Sequence, residues 1–252
     1  MTSRRYFMLV IGHRGARNEA PENTLAGFAY AKRLGLDGVE FDVRLSSDGQ
    51  LVVIHDATVD RTTNGHGAVS DFTAVQLANL DARAQFPDWK GSCGVPLLTE
   101  VLDVLGDDLR MMIEIKKDTP GNEERIIHGV MQELGLRGLM ERATLTSFDT
   151  VALEIVQREF PDQRRGYIGA WDSEEFIETA QRLGCAHGDA HRTSASPAVI
   201  AKAQDSGMTM LGWMCDTREE FDLLSAWGVD AVTTDNPGVI LALRGALTTA
   251  AW

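Results

Sequence analysis

The sequence predicts an α/β protein of the (β/α)8, or TIM-barrel, class with a small inserted subdomain. Three observations lead there. Short apolar runs alternate with longer stretches of helical periodicity along most of the chain, the pattern of a parallel sheet with crossover helices. About eight such units fit, and 252 residues match the roughly 250 of a single barrel. Ionisable residues sit at or near the ends of the first three runs. One catalytic domain over residues 1–252 is therefore expected, with an insertion at about 57–96.

The first strand is expected over Met8 to Gly12, with His13 and Arg14 in the loop that follows. Asn23 or Thr24 is a good N-cap for a helix through Leu25, Phe28, Ala29 and Leu34, and Gly35 stops it. Asp37 to Val43 makes the second strand. Leu51 to Ile54 makes the third, or extends the second after the Ser47-Asp48-Gly49 turn. Residues 57–96 then break the rhythm and are too long for an ordinary βα loop, hence the insertion beside the site.

Alternation resumes at Pro96. Expected next are a helix near Leu98–Leu105, a strand near Leu109–Ile115, a helix over Asn122–Leu134 and a strand over Ala143–Thr146. The helix Asp149–Phe160, the strand Arg165–Ile168 and the helix Ser173–Leu183 follow. Cys185–His187 makes a weak strand, with residues up to His191 running out into a loop. The chain closes with helix Ser196–Ser206, strand Thr209–Trp213, helix Arg218–Trp227, strand Ala231–Thr234 and helix Pro237–Leu247. Gly135, Gly184, Gly207 and Gly228 stand where helices should end.

Composition narrows the function. Hydrophobic residues make up 44% of the chain, enough for a full core, and no apolar stretch approaches the ~20 residues of a membrane span. Met1 to Phe7 is short and basic but lacks the apolar region and cleavage site of a signal peptide. Cys93, Cys185 and Cys215 are an odd set without CxxC spacing, as free thiols in a reducing compartment would be. A cytoplasmic location is expected. The net charge of −13, without a Lys/Arg cluster, argues against nucleic acid as partner. Such a protein needs placed cations or a metal ion to act on an anionic substrate.

In Glu40-Phe41-Asp42 the two carboxylates share one strand face, while Val39, Phe41 and Val43 take the other. Glu114-Ile115-Lys116 repeats the pattern. Charges inside a barrel are expensive unless paired or metal-bound. One divalent cation on Glu40, Asp42 and Glu114 accounts for them, and hard oxygen ligands favour Mg²⁺, Ca²⁺ or Mn²⁺ over Zn²⁺. An alternative is a set of salt bridges to Arg14, Arg44 and Lys116. His13 and His55, from neighbouring strands, suit acid/base roles beside such a site.

Gly12-His13-Arg14-Gly15, Pro21-Glu22-Asn23-Thr24, Glu40-Phe41-Asp42, His55-Asp56, the Asp60 to Gly65 loop and Glu114-Ile115-Lys116 resemble the glycerophosphodiester phosphodiesterase family, in that family's order. Thr146-Ser147-Phe148, Gly228 to Ala231 and Thr234-Asp235-Asn236-Pro237 extend the resemblance over nearly the whole chain. It implies the barrel, with the long loop as the family's insertion. It also implies a divalent cation on Glu40, Asp42 and Glu114, His13 and His55 as the acid/base pair, and phosphate contacts from Arg14 and Lys116. One departure is plain: the family usually follows its strand-seven Trp with Thr-Val-Asn, whereas Trp213 is followed by Met214-Cys215-Asp216. Trp213 walls a glycerol pocket or packs in the core.

The expected activity is metal-dependent hydrolysis of glycerophosphodiesters to sn-glycerol 3-phosphate and an alcohol. Rivals are a phospholipase-D-like lyase or lysophospholipase D on the same barrel, a non-catalytic phosphate-ester binding protein, and a magnesium-dependent barrel lyase. The last would more naturally use a lysine base. Among the remaining polar residues, Cys185, His187, Asp189 and His191 alternate with period two, and a substrate contact there is more plausible than a second metal. His66 and His128 are expected to be solvated, and Ser147 to cap the helix after it.

Overall fold

The computed structural model describes residues 8–119 and 121–249, so the basic Met1–Phe7 stretch lies outside the described residues. Eight parallel strands close into a barrel: β1 (Leu9–His13), β2 (Gly38–Leu45), β4 (Arg110–Ile115), β5 (Ala143–Ser147), β6 (Arg165–Gly169), β7 (His187–His191), β8 (Thr209–Trp213) and β9 (Ala231–Thr234). Closure comes from β1, which pairs with β2 on one side and β9 on the other. Between them run α1 (Leu25–Leu34), α3 (Leu98–Leu105), α4 (Asn122–Arg137), α5 (Thr150–Glu159), α6 (Glu174–Arg182), α7 (Pro197–Asp205), α8 (Arg218–Trp227) and finally α9 (Pro237–Thr249). The main core lies between strands and helices, where Val39, Phe41, Val43, Ile113 and Ile115 are buried. These are the outward-facing partners of the carboxylate positions. A smaller apolar plug of Ile11, Met112, Leu211 and Ala231 fills the barrel interior beneath the site.

β3 (Leu51–Val53) is not a barrel strand. It turns back antiparallel on the end of β2, with Val43 opposite Val53. The chain then leaves the barrel and builds a lobe on its own apolar cluster of Val52, Ile54, Val59, Val69, Leu77 and Val95, including the short α2 (Ala74–Ala78).

Helix ends follow their local chemistry. Thr24 caps α1 by accepting from the Gly27 amide, and Gly35 closes it in the left-handed region at φ 75°. Two expectations fail. α4 runs through Gly135 and ends at Gly138 (φ 67°), because Arg137 in the last turn donates to Glu133 and reaches Asp103 of α3. Ser147 does not cap α5. Asp149 does, accepting from Val151, while Ser147 Oγ donates to the Ile115 carbonyl and accepts from the Asp149 amide.

The strand expected at Cys185–His187 lies later, at His187–His191. Its outward positions are Gly188 and Ala190, too small to signal a strand. Space explains the choice at Gly188: a Cβ there would stand 2.1 Å from the buried Trp171 ring. The larger side chains of this strand, His187, Asp189 and His191, all face the barrel interior, in register with Gly166, Ile168 and Trp213 of the neighbouring strands.

Candidate active site

The site occupies the C-terminal mouth of the barrel. β2 brings Glu40 and Asp42 inward, β4 brings Glu114, and all three carboxylates are buried. Their oxygens lie within 4.8 Å of one another. Burial, then the charges of Asp42 and Glu114, pushes Glu40 well above the ordinary carboxylate range. Burial and Asp42 push Glu114 up to about 7. Burial acts the same way on Asp42, but Lys116 and Arg14 outweigh it and hold that group far below the usual range. Three hard oxygen donors that repel one another in a closed space fit a divalent cation well.

Cations of the chain itself already enter this cluster. Lys116 Nζ lies 2.9 Å from Asp42 Oδ1 and 2.6 Å from Glu114 Oε1. Arg14 Nε is 3.6 Å from Asp42, and the Arg14 amide donates to Glu40 Oε2. Asn23 Nδ2 donates to Asp42 Oδ2. Salt bridging and metal binding were alternatives from sequence; the same carboxylates have the geometry for both. Arg44 is turned elsewhere and donates to the His55 carbonyl.

Each histidine is oriented by a carboxylate. His13 Nδ1 is 2.6 Å from Asp235 Oδ1, and its Nε2 lies 3.8 Å from Glu40. His55 Nδ1 is 2.6 Å from Asp56 Oδ1, and burial holds the His55 imidazolium below its ordinary pKa. An Nδ1–H donated to a carboxylate fixes the tautomer and leaves Nε2 free for proton transfer. Arg61 of the lobe ties the second pair down, donating to Asp56 and, with both terminal nitrogens, to Glu22. Glu22 also accepts from Arg14 and Arg17. Burial raises the Glu22 pKa, but Arg61 and Arg14 outweigh it and hold it below the usual value.

Two cavities meet here and share His55, Glu114, Lys116 and Phe148. The smaller, about 220 Å³, runs past His13 to Met112, Ile168, Asp189 and Thr233, with Trp213 and Met214 on its wall. The larger, about 580 Å³, is polar and open beside Arg44, Asp56, Lys117 and Asp149. Trp213 is held by its indole N–H on the Asp189 carbonyl, by the His191 ring 4.5 Å away and by Phe148 at 6.1 Å. It is a cavity wall, not a core residue.

All eight residues singled out from sequence thus line or adjoin one site: His13, Arg14, Glu40, Asp42, His55, Glu114, Lys116 and Trp213. His66 is exposed, and His128 is exposed beside Glu159. Sequence reasoning gave no role to Asp56, Asp235, Glu22 or Arg61. Asp56 follows His55 directly and Asp235 follows the last strand, both within quoted motifs; only the closed barrel reveals which ring each one holds.

The family model for the glycerophosphoryl diester phosphodiesterase family matches residues 13–239. A glycerophosphodiester phosphodiesterase of Caldanaerobacter subterraneus is 36% identical over 239 residues, covering 93% of this chain and 97% of that protein. Among solved structures, an Oleispira antarctica phosphodiesterase in complex with the product sn-glycerol-3-phosphate superimposes with a TM-score of 0.87 at 29% identity, covering 93% of this chain and 95% of the other. A glycerophosphodiester phosphodiesterase from Agrobacterium tumefaciens gives a TM-score of 0.80 at 26% identity, covering 93% and 99%.

Proposed function

The chain belongs to the glycerophosphoryl diester phosphodiesterase family and is an enzyme of that activity; from this premise we propose how its own residues carry the reaction. The substrate is a small glycerophosphodiester, and the products are sn-glycerol 3-phosphate and an alcohol. The phosphate sits where the two cavities join, with glycerol in the smaller cavity and the alcohol in the larger. Glu40, Asp42 and Glu114 hold a divalent cation, Mg²⁺ or Ca²⁺ or alternatively Mn²⁺. When bound, the cation supplies positive charge to a non-bridging phosphate oxygen. Arg14 and Lys116 add to that charge where the transition state needs it.

His13 and His55 divide the proton transfers. One takes the proton from the attacking hydroxyl; the other gives one to the departing alkoxide. The observation that carries this reading is that both rings have Nδ1 pinned by a carboxylate at 2.6 Å, at the rim of one acidic cluster. A binding protein has no use for two such pairs. The attacking group is the glycerol hydroxyl next to the ester, which has the high effective molarity of an intramolecular nucleophile. A cyclic glycerol phosphate forms, and water opens it with the histidine roles reversed. An analogue lacking that neighbouring hydroxyl should bind and turn over very slowly; turnover at the parent's rate would mean direct attack by water.

A cytoplasmic location is supported by Cys93, Cys185 and Cys215, which are buried and unpaired. No helix among the described residues is long and apolar enough to cross a membrane. The decisive assay offers purified protein a panel of glycerophosphodiesters after chelation and after addition of Mg²⁺ or Ca²⁺. Chelation should abolish release of sn-glycerol 3-phosphate and a hard divalent ion should restore it. Full activity in metal-free protein would remove the cation from the mechanism.

A further inference from the structure

The floor of the smaller cavity holds a polar group that neither the cation site nor the histidine pairs use. Asp189 is only 5% exposed, yet it lines the cavity. Its Oδ1 has no hydrogen-bond partner among the described residues. The nearest polar atom given for it is His187 Nε2 at 3.7 Å, which is itself without a partner among them. Thr146 Oγ1, on β5 in register with Gly166, is in the same state. The arrangement is built, not incidental. Gly166 lies opposite His187, and a Cβ there would stand 2.6 Å from its ring, so the strand has given up a side chain to admit it.

Buried polar groups nearly always find a partner in the protein or in ordered water, so a carboxyl left without one at a cavity floor points to a ligand. The rest of this floor is Met112, Ile168 and Thr233, with Trp213 and Met214 beside them. A few placed polar groups among apolar walls are the usual means of fixing a ligand's orientation. Burial, then the charge of Glu114, raises the Asp189 carboxyl well above its ordinary range, so a neutral ligand group suits it better than a cation. A hydroxyl meets that need, since it can both donate and accept.

We propose that Asp189, backed by His187, hydrogen-bonds the terminal hydroxyl of the substrate's glycerol moiety and so makes the pocket selective for glycerol over simpler alkyl esters. This rests on the glycerophosphodiesterase reading above. The catalytic hydroxyl is the one beside the ester; the terminal one takes no part in bond making. Recognition and chemistry are therefore separable.

The test compares glycerophosphocholine with its 2-hydroxypropyl analogue, which keeps the neighbouring hydroxyl and lacks the terminal one. In the wild type, kcat/KM should favour the parent by roughly 10- to 100-fold, the effect of one buried hydrogen bond left unmade. In D189L the ratio should fall to within about 3-fold of unity, while D189N, which keeps a donor and an acceptor, should retain most of it. D189L should melt no lower than wild type, since it removes an unpartnered buried group; a purely structural carboxyl would give a lower Tm. A wild-type ratio near unity, or an unchanged ratio in D189L, overturns the proposal. So does a D189L effect that follows the choline ammonium in place of the glycerol hydroxyl. A wild-type ratio near unity overturns the proposal even where D189L fails to fold, and D189N then serves as the variant. Failure of the wild type to hydrolyse any glycerophosphodiester would instead overturn the underlying activity.

Discussion

At the level of single residues, the two histidine pairs make different demands on their members. His13→Ala and His55→Ala should each lower kcat by about 10² or more with the fold kept, the usual worth of general acid–base catalysis. Either variant holding wild-type kcat under saturation would remove that ring from the chemistry. Asp56→Ala and Asp235→Ala should cost less, about 10-fold or more, since the ring remains but its tautomer is no longer fixed. His187 makes a separate prediction. Burial, helped by the charge of Arg164, pulls its pKa down to about 4. The unfolded chain binds that proton near 6.5, so the contribution is present above pH 6.5 and is lost as pH falls through 4. Its loss is worth up to about 3 kcal/mol. His187→Gln should flatten the fall of Tm with acidification over that window. Denaturation curves at stepped pH check it, and an unchanged slope would mean that His187 is not the group titrating.

At the level of elements, what could be read from sequence depended on which face carried the signal. β2 and β4 were legible because bulky apolar residues face outward and charges face inward, so both faces speak. β8, α8 and β9 also fell at their expected bounds. β7 was misplaced because its outward face is Gly188 and Ala190, small for the sake of Trp171, a residue 17 positions away whose place no local pattern announces. β3 was left between two readings, since a four-residue apolar run does not say whether it enters a barrel or folds back on its neighbour. The acidic cluster of Glu40, Asp42 and Glu114 was legible from spacing, whereas the Asp–His pairs needed the tertiary fold. Gly188→Ala tests the packing account: the Cβ would sit 2.1 Å from the indole. It should destabilise by about 1–3 kcal/mol or more in urea. Thr24→Ala, removing the cap of α1 near the site, should cost only about 1 kcal/mol.

At the level of the whole molecule, the proposed metal would link its binding to the fold. Glu40, Asp42 and Glu114 come from two strands on one side of the barrel, and their mutual repulsion opposes closure. A divalent ion that binds only the native state should raise Tm, by an amount growing with its concentration; at a hundred times Kd the gain is about 2.7 kcal/mol. Glu40→Gln should blunt that shift, and an undiminished shift would place the ion elsewhere. The contact between His13 and Asp235 spans 222 residues of chain. As the polypeptide leaves the ribosome, His13, Glu40, Asp42 and His55 emerge within its first quarter, but the carboxylate that sets the first imidazole emerges almost last. Until β9 docks beside β1, that ring has no fixed tautomer and the barrel has no closed wall. On the proposed role of His13, competence for hydrolysis should arrive with the final strand, as a property of finished synthesis. An unfinished or truncated chain carries most of the chemistry in its sequence and performs little of it.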